Sequence, residues 1–96
     1  MTRPSEALRI LRQLIDEGIN DDDSLYIVIW SSRPYYPTVF YHNIERLRKR
    51  FKHAFLDSLS RALIIKGRFV ALAVFKLAER FGLEPRIFKL GDVNEK

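Results

Sequence analysis

The stretch Ala62-Leu63-Ile64-Ile65-Lys66-Gly67-Arg68-Phe69-Val70-Ala71-Leu72-Ala73-Val74 changes its period halfway along, and that change organises the reading of the whole chain. Ala62 to Ile65 is an unbroken apolar run, as in a strand covered on both faces. Lys66-Gly67-Arg68 interrupts it, and from there Phe69, Leu72, Ala73, Leu77 and Phe81 recur three or four apart until Gly82. That spacing predicts a helix over 69–81 with a glycine stop. Val70, Ala71 and Val74 carry the apolar surface nearly all round the first turns of this helix. A helix apolar on most sides needs more than one packing surface, so either a subunit partner or another helix of the chain must cover it.

Working outward, Leu25-Tyr26-Ile27-Val28-Ile29-Trp30 is a second short run rich in β-branched and aromatic residues and reads as the central strand, with Trp30 in the core. Ser31-Ser32-Arg33-Pro34-Tyr35-Tyr36-Pro37 ends it in an irregular loop. From Thr38, Phe40, Ile44, Leu47, Phe51 and Phe55 keep helical spacing, so a helix is expected to about Leu56. Upstream, Pro4 and the series Ala7, Leu8, Leu11, Leu14, Ile15 predict an amphipathic helix over 4–17 that stops at Gly18. The run Asp21-Asp22-Asp23 resembles the opening of a calcium loop, but the glycine and distal glutamate of such a loop do not follow, so it is expected to be a solvated linker. Residues 85–90 supply a last strand and 91–96 a polar tail. The order helix, strand, helix, strand, helix, strand predicts an α+β body of β-α-β-α-β type with an added N-terminal helix and a mainly parallel sheet. All 96 residues are assigned to one domain, with 1–23 as helix and acidic linker, 24–91 as the body and 92–96 as the tail.

Composition narrows the function classes. A chain of 96 residues that is 47% hydrophobic can build its own core. It has no cysteine, which removes disulfides, thiolate metal sites and thiol nucleophiles and fits a reducing compartment. Phe69 to Phe75 is the longest uncharged apolar stretch, far below the roughly 20 residues of a membrane span. The N-terminus lacks the unbroken apolar region of a secretory signal, and a cytoplasmic protein is expected. The net charge is +5, but residues 1–25 hold three basic and six acidic side chains, leaving fourteen and six for the remainder. A strongly basic body behind an acidic extension suggests a polyanion partner.

Chemistry-bearing residues gather at two places. Arg46, Lys49, Arg50 and His53 fall three or four apart on the side of the second helix opposite its apolar residues, with Arg48 and Lys52 alongside. They read either as a solvated helix face or as a surface for a polyanion or for the acidic run 21–23. In a parallel sheet, Arg33 after one strand and Lys66 and Arg68 after the next would share the carboxyl edge. There Gly67 would let backbone approach a phosphate, and the helix starting at Arg68 would offer its free N–H groups. Tyr35 and Tyr36 read as stacking residues for unpaired bases or as loop anchors. Catalysis has little support. His42 and His53, on one helix, would stand about 16 Å apart. His53 and Asp57 have no third group, and no Walker, GxGxxG or HExxH motif occurs. No enzyme activity, metal, cofactor or small-molecule substrate is expected, although a nucleotide-binding crevice at the carboxyl edge is a weaker alternative.

Residues Tyr26 to Gly91 resemble the Alba family of small archaeal and eukaryotic nucleic-acid-binding proteins. Two signatures carry the resemblance. Ile27-Val28-Ile29 followed by Ser31-Ser32-Arg33-Pro34 is similar to the family's strand and Gly-Lys-Lys-Pro loop, with Arg33 and Pro34 matching and Ser32 standing in place of the first lysine. Lys66-Gly67-Arg68 before a helix of small and apolar residues is similar to its Arg-Gly-Arg turn. The segment between Pro34 and Lys66 is longer than usual, the helix over 4–17 is extra, and the family's long basic hairpin is not completed. The resemblance implies an Alba-like fold and a homodimer that binds DNA or RNA with little sequence preference. The contacts are expected at Arg33, Lys66, Gly67 and Arg68, then at Arg46, Lys49 and Arg50, with Tyr35 and Tyr36 beside them. The rival reading is a protein-interaction module whose basic helix meets an acidic partner.

Overall fold

The computed structural model describes residues 5–31 and 38–90. Arg33, Tyr35 and Tyr36, expected in the binding loop, and the tail 92–96 lie outside them. The elements are α1 (Glu6–Asp16), β1 (Leu25–Ile29), α2 (Thr38–Arg50), a 3-10 turn (Lys52–Ala54), β2 (Phe55–Leu59), β3 (Ala62–Lys66), α3 (Arg68–Arg80) and β4 (Arg86–Lys89). The α+β class expected from the sequence is the observed one. The mainly parallel sheet is not.

All pairings are antiparallel, in the order β2-β3-β1-β4. One element accounts for the difference. Phe55 and Leu56 continue the helical spacing of Phe40, Ile44, Leu47 and Phe51, yet α2 ends at Arg50 and they open a strand, β2. β2 turns back through Ser60-Arg61 into β3, pairing Leu59 with Ala62. Neither turn residue has a positive φ, so the turn needs no Asn or Gly to mark it. The extra strand reverses β3, and β-α-β-α-β becomes β-α-β-β-α-β, the ferredoxin-like arrangement, preceded by α1.

The helices cover one face of the sheet. Tyr26 and Val28 of β1 and Leu63 and Ile65 of β3 point into a core shared with Phe40, Ile44 and Leu47 of α2 and Val70, Ala71, Val74, Leu77 and Ala78 of α3. Trp30 joins that core as expected, 7% exposed, with its ring edge-on to Phe40 at 5.3 Å. Ala7, Ile10, Leu11 and Leu14 of α1 are buried in the same cluster, where α1 packs on α3 and α2. The apolar surface of α3 is therefore covered from within the chain, which resolves the choice left open by its sequence. α1 is fastened at its start by two acceptors. Ser5 Oγ takes the Leu8 N–H at 3.2 Å, and Asn43 Oδ1 from α2 takes the Ala7 N–H at 2.9 Å. Asn43, 3% exposed, then donates from Nδ2 to the Val39 carbonyl at 2.8 Å.

Candidate functional site

The antiparallel register separates groups that a parallel sheet would have joined. Lys66 lies opposite Leu25, at the start of β1, whereas Ile29 at its end lies opposite Ala62. The chain leaves β1 toward residues 32–37 from the sheet end remote from Lys66. β1 and β3 therefore end at opposite edges of the sheet and not at the shared carboxyl edge that was expected, and Arg33 itself lies outside the described residues.

The turn at Gly67 is also used differently. Gly67 is buried with φ +105°, and its N–H donates to the Ser24 carbonyl at 2.8 Å. The next two N–H groups, at the start of α3, are taken by the acidic run: Arg68 N donates to Asp22 Oδ1 at 3.1 Å and Phe69 N to Asp21 Oδ1 at 3.0 Å. The chain's own carboxylates thus occupy the anion seat that the sequence reserved for a phosphate, and they complement the positive end of the α3 dipole. Asp22 also accepts the Tyr26 hydroxyl at 2.7 Å and the Ser24 N–H at 3.1 Å. The Tyr26 hydrogen bond is the main reason its carboxyl titrates below the usual range, and burial works against it. The Tyr26 hydroxyl is pushed up, first by burial and then by Asp22. Asp21 and Asp22 thus cap α3, where a solvated linker was expected, while Asp23 is exposed. No local pattern announces this, because acceptor and donor are 46 to 48 residues apart.

The cations of α2 divide into two groups. Arg48 is committed to the fold, with Nε 3.5 Å from Glu45 and its guanidinium 5.6 Å from the Phe55 ring centre. Arg46, Lys49 and Arg50 are exposed and have no ion pair with any described residue. They stand on one wall of a cleft of about 710 Å³ between α1 and α2, where Ala7, Leu8 and Leu11 supply the opposite, apolar side. Arg50 also borders a second crevice of about 370 Å³, together with Lys52, His53 and Lys66 and, across it, Asp21 to Asp23. Lys66 therefore joins the α2 cations through Arg50 instead of joining the end of β1. Lys52 and His53, which the helical reading placed further along α2, reach this crevice because the helix ends at Arg50 and the chain turns. His42 lines the first cleft and His53 the second, so they do not share a site. Among the described residues, no group of three His, Cys, Asp or Glu side chains could hold a metal ion, and no helix is long and apolar enough to cross a membrane.

No family model, curated protein or solved structure matches the chain.

Proposed function

We propose that this protein binds nucleic acid through its phosphates, without strong sequence preference, and that the ridge Arg46, Lys49, Arg50 and Lys66 is the contact surface. It acts as a binding protein and not as an enzyme. The observation that carries the reading is the set of exposed cations of α2 with no ion pair among the described residues, which leads through Arg50 to Lys66 while Asp21 and Asp22 are engaged at the start of α3 and Glu45 at Arg48. Affinity for a polyanion comes mainly from neutralising phosphates and releasing their counterions, which needs cations gathered on one side. The Alba-like turn Lys66-Gly67-Arg68 contributes its exposed side chains to this surface, and its backbone N–H groups remain with Ser24 and Asp22.

A salt titration of binding to labelled duplex DNA and single-stranded RNA tests this. Removing three phosphate contacts in Arg46→Ala/Lys49→Ala/Arg50→Ala should flatten the log–log salt slope on duplex DNA by about 2 to 3 units. Failure to bind either polymer at ~50 mM salt would sink the proposal. The apolar wall Leu8 and Leu11 facing the cations favours a second reading, an acidic amphipathic peptide in the α1–α2 cleft. Such a peptide would lose affinity on Leu8→Ala, whereas phosphate binding would not.

A further inference from the structure

The sheet face turned away from the helices is apolar and carries nothing among the described residues. Leu25, Ile27 and Ile29 of β1 and Ile64 of β3 stand on it, half-buried, with Lys66 beside Leu25 at its end. Phe88 of β4 is 50% exposed and Leu59 of β2 54%. We infer that this face is the contact between two copies of the chain, packed sheet to sheet about a two-fold axis parallel to the strands. The inference stands apart from nucleic-acid binding, because Arg46, Lys49 and Arg50 lie on the helical side and Lys66 alone of the basic ridge shares this face, at its end beside Leu25.

The register makes the face self-complementary. One row across it is Phe88, Ile27, Ile64 and Asp57, and the next is Arg86, Ile29, Ala62 and Leu59. A cation thus marks the β4 edge, a carboxylate the β2 edge, and aliphatic side chains lie between. A two-fold parallel to the strands lays β1 on the partner's β3 and β4 on the partner's β2. Ile27 then meets the partner's Ile64, and Arg86 stands one diagonal step from the partner's Asp57. A two-fold across the strands would instead set Asp57 on its own copy, opposing like charges. Packed sheets sit about 10 Å apart, a gap that an arginine and an aspartate reaching from opposite sides can bridge.

The size of the face sets the strength. Four strands about 4.8 Å apart and five residues at about 3.3 Å give a patch of roughly 19 by 17 Å. That is at the lower end of the largest apolar patch carried by an ordinary monomer, and small beside the ~800 Å² per partner of a standard interface. The expected dimer is weak and concentration-dependent.

Sedimentation equilibrium of the full chain from about 1 to about 500 μM reads this directly. A monomer–dimer transition is expected. Ile27→Asp should weaken the dimer at least tenfold, and Phe88→Asp, at the less buried edge strand, should do the same if the Ile27 variant does not fold. Arg86→Asp and Asp57→Arg should each weaken it, and the double exchange should restore it. A wild type that stays monomeric throughout overturns the inference, and so does a dimer indifferent to Phe88→Asp. A dimer weakened by both apolar variants in which the double exchange fails to rescue either charge variant overturns the two-fold assigned here.

Discussion

At the scale of single residues, the turn before α3 concentrates the chain's tightest requirements. Gly67 has φ +105°, and a Cβ there would lie 3.3 Å from Asp21 Oδ1, one of the acceptors that caps the helix. Gly67→Ala therefore combines backbone strain with displacement of the cap and should cost about 1 to 3 kcal/mol, measurable by urea unfolding. The neighbouring Asp22 makes part of this cap dependent on pH. Its folded-state carboxyl titrates below the ordinary value of 3.8 because Tyr26 and the N–H groups of Ser24 and Arg68 hydrogen-bond to the ionised form. A depressed carboxylate contributes stability above its unfolded value and loses it as pH falls through the folded one. The stability gap between wild type and Asp22→Asn should thus be constant between about pH 5 and about pH 8, below the range where Tyr26 titrates, and shrink from about pH 4 downward in thermal melts. A gap independent of pH down to about pH 2 would refute the role given to its charge.

At the scale of elements, α1 and α3 are both capped from a distance. Asn43 reaches from α2 to the Ala7 N–H, so α1 is tied to the helix it packs against. Asn43→Ala leaves that donor buried without a partner and should cost about 1 to 3 kcal/mol. Such a loss corresponds to a Tm lower by several degrees, about 4 to 8 °C per kcal/mol in a domain of this size. Ser5→Ala removes the companion cap at Leu8 and should cost about 0.5 to 2 kcal/mol. Calorimetry of the two variants and their double mutant would show whether the caps act together. The Glu6 carboxylate, 3.5 Å from Arg80 Nε, adds a polar link from α1 to the end of α3.

At the scale of the whole molecule, α1 decides where a second copy can dock. By covering α3 it removes the apolar surface of that helix from contact and leaves the bare sheet as a large apolar surface among the described residues. The same packing makes α1 part of the core. Leu14 is fully buried and its neighbour Ile15 is 65% exposed. Leu14→Ala should lower stability by about 2 to 5 kcal/mol. Ile15→Ala should change it by no more than about 0.5 kcal/mol. Equal effects in denaturant unfolding would mean that α1 is an appendage.

Much of this architecture was legible in the sequence, because burial on one side imposes a period that apolar residues must follow. The spacing of Ala7, Leu11 and Leu14, the runs Leu25 to Trp30 and Ala62 to Ile65, and the helix ending at Gly82 all fall where they were expected. Phe55 was misread for a physical reason: a core residue four positions after Phe51 satisfies a helix, and the same side chain at the start of β2 packs against the same core. That one strand reversed the direction of β3, and strand direction decides which loops meet. Tertiary structure alone could therefore separate Lys66 from the end of β1 and join it to Arg50. The capping of α3 by Asp21 and Asp22 likewise depends on residues far apart in the chain, which no local pattern encodes. The amino-acid sequence determined which segments bury a face and which carry charge. The fold decided which charges stand together and which are already spent, because hydrogen bonds and strand register act through space.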